Sequence, residues 1–350
     1  MQSKMQPQSR FRTSAAAKKI QQFASHNAIY IVLIVLIFGI ALWDPLFLSV
    51  TTFRDILTQN ATRTIIALGT AFVLITGGTD LSSGRIVGLT AVISASMLQM
   101  SEYQNRFFPN LPELPIIVPI AAAMIVGLLV GVINGFIVAK LKVPPFIATL
   151  GTMVAVYGAN SLYFDMEPNN SQPIGGLSKE FTKLGTGYLG FNGTYSIPYI
   201  VIIAIVVTVI VWVLFNKTRF GKNMYAIGGN MQAATVSGIN VAKNLIYIYA
   251  VAGALYGLAG VLEAARTGGA TNNYGNMYEL DAIAACVVGG VSTAGGIGRV
   301  QGIIAGVLIF GVINYGLTFI GVSPYWQWIT KGAIIVAAVA FDIRKYVAKK

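Results

Sequence analysis

Long apolar runs alternate with short polar segments from one end of the chain to the other. The runs at 28–48, 56–76, 85–101, 115–139, 144–164, 197–215, 243–265, 280–292, 299–320 and 325–341 predict ten membrane-spanning helices, since a crossing takes about 20 mostly apolar residues. Arg63, Asp80 and Arg85 interrupt the pattern around the second and third runs, and the eighth is short. The fold expected is all-α: a polytopic transmembrane helical bundle over 28–341, with a segment 1–27 before it and a tail 342–350 after it. Between the fifth and sixth spans, 165–196 is rich in Gly, Asn, Pro and Ser. It reads as an outer loop, either folded over a mouth or a plain connector. The segment 216–242 then falls on the other, cytoplasmic side.

Composition agrees, with 55% hydrophobic residues, 10% charged residues and a mean hydropathy of +0.69. The net charge of +12 does not point to nucleic acid, because the basic residues sit in short loops and tails. Seventeen of the 24 lysines and arginines fall on the segments this topology places inside, all but Arg54, Arg63, Arg106, Lys179, Lys183, Arg266 and Lys331. Short cytoplasmic loops carry such an excess, so both termini are expected in the cytoplasm. The basic start followed by apolar Ala28–Trp43 imitates a signal peptide. Trp43-Asp44-Pro45 stands where a small-residue cleavage site would be, so the stretch reads as an uncleaved first span.

Catalytic chemistry finds no parts. The one histidine, His26, precedes the first span and the one cysteine, Cys286, lies in an apolar run. Neither a His/Cys metal site nor an internal disulfide can be assembled from them. Gly221-Lys222 continues to Asn223 instead of completing a phosphate loop, Gly296-Ile297-Gly298 reaches Gln301 where a dinucleotide fingerprint needs glycine, and Gly290–Ala294 misses the last glycine of a nucleophile elbow. No catalytic, cofactor-binding or metal-ligating residue is expected in this chain.

Two features suggest a transport path. Gly131-Val132-Ile133-Asn134 recurs as Gly311-Val312-Ile313-Asn314, and each asparagine is followed ten residues on by a proline, Pro144 and Pro324. The copies lie in the fourth and ninth spans, which run in opposite directions, as in an inverted-topology repeat with its pathway at the repeat interface. Four-spaced glycines (Gly127, Gly131, Gly135; Gly298, Gly302, Gly306; and the pairs Gly84/Gly88 and Gly253/Gly257) offer small faces for close helix packing. The Gly-rich breaks Thr76–Asp80 and Gly289–Gly298 allow bends or re-entrant backbone.

Within 216–242, Asn230 can cap a short helix over Met231–Ser237, and Gly238 can stop it. The pattern G-K-N-x-x-A-I-G-G-N-x-x-A-A-x-x-S-G-I resembles the cytoplasmic coupling segment of permease subunits in bacterial sugar ABC importers, the ribose/galactose branch. Leu150–Met153, Met277–Ser292 and Ile313–Ala333 resemble that family as well, so the likeness covers nearly the whole chain. It implies a homodimer in the bacterial inner membrane, with ABC ATPase subunits that bind ATP and Mg, and a periplasmic sugar-binding protein. It also implies galactose or methyl galactoside as cargo, with ribose or another monosaccharide as the alternative. On this resemblance Gly229, Asn230, Ala233, Ala234 and Gly238 couple to the ATPase.

Charges near or within spans are expensive, so Arg63, Glu263, Arg266, Glu279 and Asp281 require a reason. Glu263 and Arg266 can pair across one helical turn, or line a vestibule with Asn272, Asn273 and Tyr274. Asn134, Tyr157, Asn160, Glu263, Asn314 and Tyr315 are candidate pathway-lining residues, each equally suited to polar helix packing. A rival reading is an ion-coupled secondary transporter with Asp80, Glu263 or Asp281 as its ion site.

Overall fold

In the computed structural model, which describes residues 28–190 and 196–347, helix ends follow local chemistry. The first helix, α1 (Ala28–Trp43), stops where Asp44-Pro45 opens a 3-10 turn, with Asp44 Oδ1 accepting from the Leu46 N–H at 2.9 Å. Proline cannot continue the ladder, so the first expected span ends at Trp43 rather than residue 48. Next, α2 (Val50–Ile75) is capped by the Ser49 hydroxyl, which accepts from the Thr52 N–H at 3.1 Å. The first half continues with α3 (Ser83–Met97), α4 (Ile117–Ala139) and α5 (Pro145–Asp165). The expected outer loop holds a helix of its own, α6 (Lys179–Thr186), and a strand β1 (Tyr188–Leu189) that pairs antiparallel with β2 (Ile197–Pro198), the first two residues of the expected sixth span. After α7 (Tyr199–Lys217) come two short helices, α8 (Arg219–Gly229) and α9 (Met231–Val236). The second half is α10 (Val241–Thr267), α11 (Tyr278–Val288), α12 (Val300–Phe319) and α13 (Pro324–Val347).

All ten expected spans contain a helix, and among the described residues α4, α7, α10 and α12 are long and apolar enough to cross a membrane on length and composition alone. The eighth needs correction. Its helix, α11, has 11 residues, about 16 Å at 1.5 Å per residue, roughly half the hydrocarbon thickness. The non-helical stretch 268–277 precedes it and packs along α3, where a Cβ on Gly84 would strike the Gly275 carbonyl and one on Gly88 the Tyr274 carbonyl. The last helix runs to Val347, past the expected limit of 341. The segment 1–27 and residues 348–350 of the expected tail lie outside the described residues.

The halves α2–α5 and α10–α13 exchange their long first helices. In the second half α10 packs on α3 and α4 of the first, while α2 packs on α11 and α12 of the second, and α2 also meets α10. The Cys286 thiol donates to the Ala67 carbonyl at 3.2 Å within the α2–α11 contact. This matched exchange is what an inverted repeat requires of its packing. Two of the glycine ladders face each other. On α4, Gly127 and Gly131 leave no room for a Cβ beside the carbonyls of Gly253 and Tyr249 of α10. In the other long ladder, Gly302 and Gly306 face Gly289 and Ala285 across the α11–α12 contact. Gly84 and Gly88 meet the broken stretch rather than a helix.

Gly131→Leu is expected to disrupt the α4–α10 contact by overpacking, costing about 1–3 kcal/mol or more. Gly151→Leu and Gly158→Leu on α5, where a Cβ meets nothing within 4 Å, are expected to be tolerated. Thermal unfolding of the three variants in one detergent checks the contrast; a Gly131→Leu protein as stable as the other two removes the close-approach argument.

Candidate functional site

Five charged side chains form one continuous chain of contacts through the bundle. Glu263 on α10 is 3% exposed. Its carboxylate accepts from Arg266 Nη2 at 2.8 Å, from the Thr62 hydroxyl of α2 at 2.9 Å and from the Tyr278 hydroxyl of α11 at 2.9 Å. Arg63 lies over the Tyr278 ring, 4.3 Å from its centroid, and pairs with Asp281 of α11. Asp281 also takes Lys331 Nζ of α13 at 3.0 Å. A charge removed from water costs several kcal/mol unless paired, and here each carboxylate meets at least one cation. The Glu263–Arg266 pair was legible from its spacing. The Arg63–Asp281 pair joins residues 218 positions apart and was not. Being held by cations, Glu263 and Asp281 are poor ion sites for a secondary carrier.

The third such candidate, Asp80, lies in the loop between α2 and α3 and is 1% exposed. Burial pushes its carboxyl above the usual carboxylate range, partly offset by bonds from the Ser82 hydroxyl at 2.6 Å and the Ser82 N–H at 2.9 Å. These bonds fold the loop locally and set up the start of α3.

Each repeated asparagine faces the first turn of the shorter helix in its own half. Asn134 of α4, fully buried, donates to the Ser82 hydroxyl at 2.8 Å, just ahead of α3. Asn314 of α12 lines a small space with Asn60, Arg63, Tyr278 and Asp281, at the start of α11, and its Oδ1 has no partner. The α5 helix serves both broken stretches. The Thr149 hydroxyl accepts from the Leu81 N–H at 3.1 Å and lies 3.2 Å from the Thr79 carbonyl, while Asn160 donates to the Asn272 carbonyl at 3.2 Å. Tyr157 lies under Arg85, 4.2 Å from ring centroid to guanidinium, and Arg85 reaches Asn276 at 2.7 Å. Tyr315 stands apart, its hydroxyl 3.3 Å from Asp55 and its ring among Phe47 and Phe319. The six candidate pathway residues thus fall in separate groups rather than one site.

In the segment 216–242, Asn230 Oδ1 accepts from the Ala233 N–H at 2.9 Å and Gly238 turns with a φ of +84°. The sequence reading did not suggest α8, which holds Gly221, Gly228 and Gly229. Gly221 and Gly228 are there for contact: a Cβ on Gly228 would strike the Ile75 carbonyl, and the Gly296 N–H donates to that same oxygen at 2.7 Å. Tyr225 adds a bond to the Gly298 carbonyl at 2.8 Å. The ends of α2 and of the α11–α12 turn are therefore fastened to α8. On α9 the two alanines differ. Ala233 is exposed, whereas Ala234 is buried against Ile227 and Leu245, so it cannot be an outward contact. Exposed Met231 and Val236, which the sequence reading did not single out, share the outer surface. Around Gly229 a Cβ would meet nothing within 4 Å.

Exchanged halves, interrupted helices and polar side chains gathered at the breaks define a polytopic membrane transport protein. Residues 52–339 match the family described as the branched-chain amino acid transport system / permease component, and the chain belongs to this permease family. Among curated relatives, the galactose/methyl galactoside import permease protein MglC of Haemophilus influenzae is 56% identical over 324 residues, 93% of this chain and 96% of that protein. Its namesake in Escherichia coli K12 is 53% identical over 333 residues, 95% and 98% of the two chains. The ribose import permease protein RbsC of Haemophilus influenzae is 39% identical over 327 residues, 93% and 95% of the two chains. No solved structure matches the chain.

Glu263→Ala strands Arg266 and removes the acceptor of Thr62 and Tyr278, an expected loss of about 3–5 kcal/mol. Glu263→Gln keeps an acceptor in place and is expected to lose less. Thermal unfolding in detergent reads the order; equal losses would show that the hydrogen bonds from Thr62 and Tyr278 contribute nothing.

Proposed function

We propose that this permease carries galactose and methyl galactosides inward as the membrane subunit of an ATP-driven importer. The observation that carries the reading is the 56% and 53% identity to permeases so named, against 39% to a ribose permease, with both ends of the comparison nearly fully covered. Two copies of the chain enclose the path. ATP and Mg are held by separate ATPase subunits, and this chain supplies no catalytic group. A periplasmic binding protein delivers the sugar and carries most of the selectivity. Both termini lie in the cytoplasm, a reading supported by the bias of basic residues toward those segments.

The ATPase grips α9. Met231, Ala233 and Val236 present a small, partly apolar outer face, which suits a groove in another protein. Behind it, the contacts of α8 with Ile75 and Gly296 pass motion to the helix ends. Pathway residues are the polar groups around the starts of α3 and α11, including Asn134, Asn160 and Asn314.

Ala233→Arg places bulk and charge on the outer face without touching the packing of α9, so membrane abundance is expected to stay normal while ATPase association and galactose uptake both fall at least about tenfold. Normal uptake at wild-type abundance ends the coupling assignment. Ala234→Arg, by contrast, is expected to lower abundance, because that side chain is buried. Reporter fusions after Lys350 and within Gly175–Gly187 are expected to show opposite sidedness, and the same side for both would refute the topology.

A further inference from the structure

We infer that the cleft between α2, α11 and α13 is a low-affinity binding site for a neutral monosaccharide, with Trp328 as its stacking wall and the Arg63–Asp281–Lys331 group as its hydroxyl-binding pole. This rests on the sugar-transport reading above and names the place where the sugar pauses. The cleft has a volume of about 260 Å³, room for one sugar ring, and Arg63, Asn276, Tyr278, Asp281, Trp328 and Lys331 carry its chemistry.

The recognition argument has three parts. First, Trp328 is 57% exposed on the wall of a cleft whose other pole is charged. The Trp328 ring is held in a T-shaped contact with Tyr325, centroids 5.8 Å apart. One turn further along α13, an added Cβ on Gly332 would have nothing within 4 Å, which leaves room for a flat ring on that side. An aromatic face beside convergent polar groups is how a pocket binds a ligand that is apolar on its C–H face and polar at its edge. Second, Asp281 accepts from Arg63 and from Lys331 Nζ at 3.0 Å. Guanidinium and ammonium bring eight N–H bonds in all, and the carboxylate cannot occupy them all. Vicinal hydroxyls can donate to the carboxylate and accept from the cations together, through charge-assisted bonds. An anion would meet the Asp281 carboxylate in the same pole, so a neutral polyol fits better. Third, the pole is held still. Arg63 rests on the Tyr278 ring and the Tyr278 hydroxyl is tied to Glu263, so little order is lost when a ligand binds. The space lined by Asn60 and Asn314 shares Arg63, Tyr278 and Asp281 with the cleft, and the unpartnered Asn314 Oδ1 offers it another acceptor.

The test uses the full chain in lipid nanodiscs and, separately, the assembled importer in liposomes. Saturation-transfer NMR with methyl β-galactoside is expected to show ring-proton signals for the wild type, at least about fivefold weaker with Trp328→Leu and partly kept with Trp328→Phe. Lys331→Met weakens them too if Trp328→Leu does not fold. Galactose uptake by the assembled Trp328→Leu importer is expected to fall about tenfold, while Trp326→Leu, outside the cleft, leaves both readouts at the wild-type level. Wild-type signals and uptake from Trp328→Leu overturn the cleft and leave the proposed function standing. A wild-type importer that takes up neither sugar overturns the proposed function itself. Loss of the sugar signal when phosphatidylglycerol is added to the nanodisc makes the cleft a lipid headgroup site and also overturns the inference.

Discussion

Backbone N–H and C=O groups buried away from water must find partners inside the protein, and the ends of a broken helix expose several at once. This chain breaks after α2 and again after α10, and much of its architecture serves those two places. Thr149 and Asn160, eleven residues apart on the same helix, reach one break each. Gly84, Gly88 and Gly275 let broken backbone lie directly on helix. The exchange of long helices between the halves then packs both breaks against helices of the first half.

Burying polar backbone invites polar side chains, and the chain of charges from Arg266 to Lys331 follows from that. Its members come from α2, α10, α11 and α13, so it ties the two halves together where apolar packing alone would leave them free to slide. Its Arg63, Asp281 and Lys331 end opens on the cleft, whereas Glu263 is buried. The outer pair keeps donors available.

The spans were legible because hydrophobic length is a local property, and so were the Asn230 cap and the Gly238 stop. Where the sequence misled, the cause was nonlocal. Nothing in the local sequence shows that Gly228 of α8 marks a close approach to the Ile75 carbonyl. The run at 280–292 looked like a short span, and nothing in its composition shows that 268–277 packs beside α3 as a series of turns. Glu263 and Arg266 are separated by one turn and could be paired on paper. Arg63 and Asp281 could not, nor could Trp328 be distinguished from its neighbour Trp326, since both are simply tryptophans near a helix start. Ala233 and Ala234 look alike in sequence, but a helix turns adjacent residues about 100° apart, and only one of them can face outward.

The 27 residues of α10 span about 40 Å and include no proline, the usual cause of a kink. At its far end, Gly185 of α6 sits so close to the backbone of Ala265 and Arg266 that a Cβ would not fit. At its near end, Asn240 caps it directly after α9, accepting from the Lys243 N–H at 3.0 Å. Such a helix is a stiff strut with a seat at each tip. A push on one seat travels along the hydrogen-bonded axis as a rigid shift and is not absorbed by bending on the way. The two ends of the molecule can therefore register each other's state without any ligand moving between them.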